Sequence, residues 1–99
     1  MKIEYTEQAL ISLQESLDFI SKEVSLEKLI EIRDQILDST DILIKHPKLG
    51  KKEEYLEHLK LGHRRIIEGH YKVIYRTEKK VIYITDIFDT RQDPNQMKG

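Results

Sequence analysis

No cysteine and no tryptophan occur among the 99 residues, and there are only two prolines and four glycines. Without cysteine there are no disulfides and no thiolate metal ligands, so packing alone must hold the fold. Without a proline-, glycine- or serine-rich stretch there is no linker or low-complexity segment, and no internal repeat is present. No apolar run approaches the roughly 20 residues that cross a bilayer, which argues against a membrane partner. The opening Met1-Lys2-Ile3-Glu4-Tyr5 has no apolar stretch behind it, which predicts no signal peptide and makes the cytoplasm the expected location. A phosphate-cradling glycine loop is also missing. The histidines His46, His58, His63 and His70 never place two ligands on one helix face, so neither a metal nor any other cofactor is expected.

An excess of one charge is lacking as well. Seventeen basic and eighteen acidic residues leave a net charge of −1, a total that predicts no polyanionic partner by itself. The distribution is uneven. Residues 1–57 carry 8 Lys+Arg and 13 Asp+Glu (−5), whereas residues 58–99 carry 9 and 5 (+4). Such asymmetry hints at an interaction surface. With 38% hydrophobic and 35% charged residues, the chain suits one small globular domain over 1–99 with one core.

Ile3 and Tyr5 alternate with Lys2 and Glu4, the pattern of a short strand. Thr6 is placed to cap a helix, with Glu7 in its first turn. Leu10, Leu13, Leu17, Ile20 and Val24 then recur every three or four residues, which predicts an amphipathic helix of about five turns. Ser25 is a second N-cap. The stripes Leu29-Ile36-Leu43 and Ile30-Leu37-Ile44 predict a longer helix ending near Lys45, because Pro47 disfavours the helical conformation at His46. Residues 47–63 read as irregular, with Lys51-Lys52-Glu53-Glu54 as a solvated charge run. Arg64–Glu68 and Tyr71–Arg76 flank Gly69-His70, a two-residue gap with glycine first, as a type II′ hairpin turn prefers. Thr77–Lys80 reads as a polar turn and Val81–Phe88 as a central strand. The order is β-α-α-β-β-β. The expected class is α+β, with a helical hairpin on one face of a mainly antiparallel sheet and the other face free.

The turn fixes a register: Glu68 opposite Tyr71, Ile67 opposite Lys72, Ile66 opposite Val73, Arg65 opposite Ile74. Cross-strand partners share a face. One face then collects Ile66, Tyr71, Val73 and Tyr75, suited to lie under the helices. The other collects His63, Arg65, Ile67, Lys72, Ile74 and Arg76. Clustered cations repel unless an anionic group is near, so this face is a candidate surface for phosphate or carboxylate. Asp86 and Asp89 are candidates for structural pairing with Arg91 or Arg65. Of the tyrosines Tyr5, Tyr55, Tyr71, Tyr75 and Tyr83, all but Tyr55 fall in strand patterns and are expected in the core.

The sequence resembles the RelE/ParE toxin superfamily. The resemblance rests on Ala9-Leu10-x-x-Leu13 with Ile20, on His46-Pro47-Lys48-Leu49-Gly50, on Gly62-His63-Arg64-Arg65, on Gly69-His70-Tyr71-Lys72-Val73-Ile74-Tyr75-Arg76 and on Ile87-Phe88-Asp89-Thr90-Arg91-Gln92. It implies a toxin of a type II toxin–antitoxin, or plasmid stabilisation, module that acts without metal or cofactor. The implied partner is a cognate antitoxin whose C-terminal segment wraps across the toxin in a hetero-oligomer. In the RelE branch the target is the ribosome and its mRNA, and position assigns the catalytic set to His63, Arg65, Lys72 and Arg91. Such nucleases usually add a Tyr near the end, where this chain reads Asp93-Pro94-Asn95-Gln96-Met97-Lys98-Gly99. The ParE branch keeps the fold without that set and poisons DNA gyrase. The His-Pro-x-Leu-Gly turn and the paired Arg64-Arg65 lean towards it. Target-binding candidates are Arg64, Arg65, Lys72, Arg76 and Arg91. A scaffold or regulatory domain without toxicity is the remaining alternative.

Overall fold

A computed structural model describes every residue from Met1 to Gly99. The elements are β1 (Lys2–Tyr5), α1 (Glu7–Ile20), α2 (Leu26–Ser39), β2 (Lys51–Lys52), β3 (Arg64–Glu68), β4 (Tyr71–Glu78) and β5 (Val81–Asp89). They form a two-helix layer on a five-stranded sheet ordered β1-β5-β4-β3-β2. β1 runs parallel to β5 and every other pair is antiparallel. The expected α+β class is found, enlarged by β2.

Both predicted caps form. The Thr6 hydroxyl accepts from the Ala9 N–H at 3.1 Å, and the Ser25 hydroxyl accepts from the Lys28 N–H at 3.1 Å. Both helices are shorter than their apolar stripes suggest. α1 ends at Ile20 because the chain turns through Ser21–Glu23, and Val24 follows outside it. α2 ends at Ser39, where the Thr40 hydroxyl donates to the Leu37 carbonyl at 2.8 Å and a tighter three-ten turn, Asp41–Ile44, takes over. Leu43 is still buried in the core, so the stripe points inward although the helix type changes.

The register predicted for the β3–β4 hairpin is the one observed, from Glu68 opposite Tyr71 to Arg65 opposite Ile74. Gly69 has φ +59, a conformation open to glycine, whereas His70 keeps a negative φ, as a type II′ turn requires. Strand β4 runs on to Glu78, so the polar turn narrows to Lys79-Lys80. A bulge at Thr85 breaks the β4–β5 register between Ile74/Asp86 and Tyr75/Ile84. It lets Ile84 and Ile87, three residues apart, both enter the core under the helices. There Ala9, Leu13, Leu17, Ile36 and Leu43 meet Tyr71, Val73, Tyr75, Ile82, Ile84 and Ile87.

The opposite face is not free, contrary to expectation. A three-ten turn, Glu54–Leu59, and the segment after β5 lie over it. Leu56 and Met97 close with Ile74 and Phe88 into a second apolar cluster. The Asp86 carboxylate accepts from the Lys98 N–H at 2.9 Å and so ties that segment down. Residues 47–63 are therefore ordered: β2 pairs with β3, and the turn after it contributes to the second cluster. No helix is long and apolar enough to cross a membrane.

Candidate functional site

The hairpin brings His63, Arg65, Lys72 and Arg76 to the same side of the sheet, as its register requires. What the sequence concealed is the group between them. Glu53, expected in a solvated run, is only 3% exposed. Its Oε1 accepts from Lys72 Nζ at 3.1 Å and lies 3.8 Å from Arg65 Nε. Its Oε2 accepts from the Tyr55 N–H at 3.1 Å. Glu53 reaches this place because its own N–H donates to the His63 carbonyl at 2.9 Å, continuing the β2–β3 ladder by one residue. A carboxylate so buried persists as an ion only where cations and donors surround it. The one available signal was an acidic residue next to two lysines that proved to be a strand edge.

The remaining cations also have partners. Arg76 donates to Glu78 at 3.0 Å and stacks 4.9 Å above the Tyr83 ring. Lys72 also stands 5.7 Å from the centre of the exposed Tyr55 ring. Arg64 faces the other side from Arg65 and donates to the Gly50 carbonyl at 2.7 Å. Arg91 is held by Asp89, donating through Nη2 at 2.7 Å and Nε at 2.9 Å, which is the pairing anticipated for Asp89. This guanidinium keeps the Asp89 carboxyl below its usual range. Asp86 carries no cation on its carboxylate and is pushed up by burial.

His63 is 3% exposed, and neither ring nitrogen has a hydrogen-bond partner. Burial lowers its pKa and favours the neutral ring; the Gly99 backbone beside the ring opposes this, and the Arg76 guanidinium and His58 act with burial. Arg91 is elsewhere. It lines a groove of about 320 Å³ with Ile20, Glu23, Ile32 and His70, on the helical side of the sheet. It also borders a groove of about 620 Å³ between α1 and the end of β5, where Ser12, Glu15 and Phe19 face Asp86 and Gln96. The structure thus brings Arg65 and Lys72 together, buries His63 beside them and sets Arg64 and Arg91 apart. No three His, Asp or Glu side chains converge as a metal site would require.

The family described as "ParE toxin of type II toxin-antitoxin system, parDE" matches residues 3–94. The chain belongs to the ParE toxin family. A comparison with curated proteins found no match. Among solved structures, one described as "Chromosomal ParDE TA system from P. aeruginosa" is similar, with a TM-score of 0.74 at 21% identity. The likeness covers 88% of this chain and 92% of that one, and shows the same fold. Membership in the ParE family accords with the His46–Gly50 turn. The Tyr75 hydroxyl donates to the Pro47 carbonyl at 2.8 Å and accepts from the Gly50 N–H at 2.9 Å. A Cβ on Gly50 would lie 2.5 Å from the Arg65 carbonyl oxygen, so this close approach requires glycine.

Proposed function

We propose that the protein is the toxin of a type II toxin–antitoxin module, held inactive by a cognate antitoxin in the cytoplasm, with DNA gyrase as its target. The observation that carries the choice of target is the state of the four residues a RelE-like nuclease would use. Arg65 and Lys72 share the one buried Glu53 carboxylate, which offsets one of their two charges and holds both side chains in place. His63 lies under covering chain, and Arg91 is bound to Asp89 on the helical side. Phosphoryl transfer without metal needs cations free to meet developing charge, and an acid–base group open to substrate. This arrangement offers neither, which favours an inhibitor that works by binding. Arg64, Arg65, Lys72, Arg76 and Arg91 then serve chiefly to hold the surface that the target meets.

Expression of the toxin without its antitoxin tests this reading. Filamentation and DNA-damage signalling are expected, and purified protein should inhibit gyrase supercoiling. Rapid cleavage of ribosome-bound mRNA with supercoiling untouched would instead assign the RelE-like activity.

A further inference from the structure

Every arginine and lysine first suspected of function has an internal partner, so the cations without one stand out. Lys45, Lys48, Lys51 and Lys52 are all exposed, lie within eight residues and enter no ion pair. No acidic residue interrupts residues 42–52. The sheet register adds to the crowding. Lys52 is directly opposite Arg64, whereas Lys51 is opposite Arg65, whose charge Glu53 offsets in part. Like charges facing each other across a strand pair destabilise it. Arg64 does not relieve this, because its guanidinium is bound to the neutral Gly50 carbonyl. The nearby acidic groups do not relieve it either. Glu53 is turned inward to Arg65 and Lys72, and Glu54 and Glu57 pair with no lysine.

A mobile loop would let such charges spread into solvent. This one is pinned at both ends of its turn, by the Tyr75 hydroxyl on Pro47 and Gly50 and by Arg64 on Gly50. Leu49, 53% exposed, sits among the lysines. Repulsion held in a fixed arrangement is relieved by a regularly charged polyanion, and lysines act on phosphates as point charges that need no bidentate geometry.

From this we infer that the edge formed by Lys45, Lys48, Lys51, Lys52 and Arg64 is a docking surface for the phosphate backbone of duplex DNA, without base specificity. Its biological meaning, contact with the DNA on which gyrase acts, rests on the gyrase reading above; the binding itself does not.

The test is fluorescence anisotropy with a labelled 20-base-pair duplex and the purified chain across a salt series. Binding in the micromolar range at low salt is expected, with log K falling by about 0.9 per phosphate neutralised on each log unit of salt. Lys48→Ala/Lys51→Ala should weaken binding roughly tenfold and reduce the slope by about 2, by the same relation. The matched variant Lys79→Ala/Lys80→Ala, at the β4–β5 turn, should change neither. Absence of duplex binding at 50 mM salt overturns the inference, as does equal weakening by the two variants. Tighter binding to poly-glutamate than to the duplex also overturns it and assigns the edge to an acidic protein. Should the duplex fail to bind while supercoiling is still inhibited, this surface is wrong and the gyrase reading stands. Should it bind without any effect on gyrase, the reverse holds.

Discussion

The two sides of the sheet are closed by different means. Under the helices the buried cluster is wholly hydrocarbon and aromatic, built from Leu13, Leu17, Ile36, Tyr75, Ile82, Ile84 and their neighbours. On the other side the apolar contribution is only Leu56, Ile74, Phe88 and Met97. The rest of that closure is electrostatic: Glu53 between Arg65 and Lys72, and Asp86 on the Lys98 N–H. A nonpolar layer tolerates small errors of position, because dispersion and burial have little direction. An ion triad does not, since each member left alone is a buried charge. The helical side therefore sets the stability of the fold, while the other side fixes where the cations point.

That contrast can be broken by experiment. Ile84→Ala, at a fully buried position under the helices, should cost about 4 kcal/mol in urea denaturation. Glu53→Gln keeps the shape but leaves Arg65 and Lys72 half-buried without a counter-charge, and should cost about 3 kcal/mol. A loss below about 1 kcal/mol, the scale of an exposed pair, would mean that the triad is no more than a surface contact. Met97→Ala should cost about 2 kcal/mol, the low end for such truncations, because Met97 lies at the margin of the smaller cluster. Hydrogen exchange should then rise at Lys98 before it rises anywhere in β4.

The smallest effect is one of pH. His63 has a lowered pKa in the folded chain, so between that value and the ordinary 6.5 the unfolded chain binds a proton that the folded one does not. Its contribution to stability is complete above pH 6.5 and is lost as pH falls through that interval. His63→Phe should flatten the stability profile between pH 7 and 5. An unchanged profile would mean that the ring is not held neutral.

The sequence made the helical side legible and the other side largely illegible, for a physical reason. Period-two and period-3.6 patterns report which residues face an apolar layer, and a two-residue turn with glycine first reports a register. Together they placed Ile66, Tyr71, Val73 and Tyr75 correctly and grouped Arg65 with Lys72. Glu53 is 12 residues from Arg65 and 19 from Lys72, and no local pattern marks a carboxylate that will be buried by distant chain. Met97 was hidden in the same way: one apolar residue in a polar segment carries no period. The end of α2 was missed because apolar periodicity continues through a three-ten turn that still faces the core, and the end of α1 because Val24 extends the stripe beyond the turn at Ser21–Glu23.

The parallel pairing of β1 with β5 sets a schedule. Residues 2–5 find their only strand partner some 80 positions later, at Val81–Ile84. Until that stretch has left the ribosome, α1 has no β5 to lie on and the first strand has no hydrogen-bonding neighbour. Folding of this topology combines local hairpins with this one distant pairing and belongs to the intermediate rates of mixed α/β domains. The nascent chain accordingly completes its sheet only after residues 81–84 have emerged. A cognate antitoxin already present in the cell has that interval in which to meet the chain before it has folded.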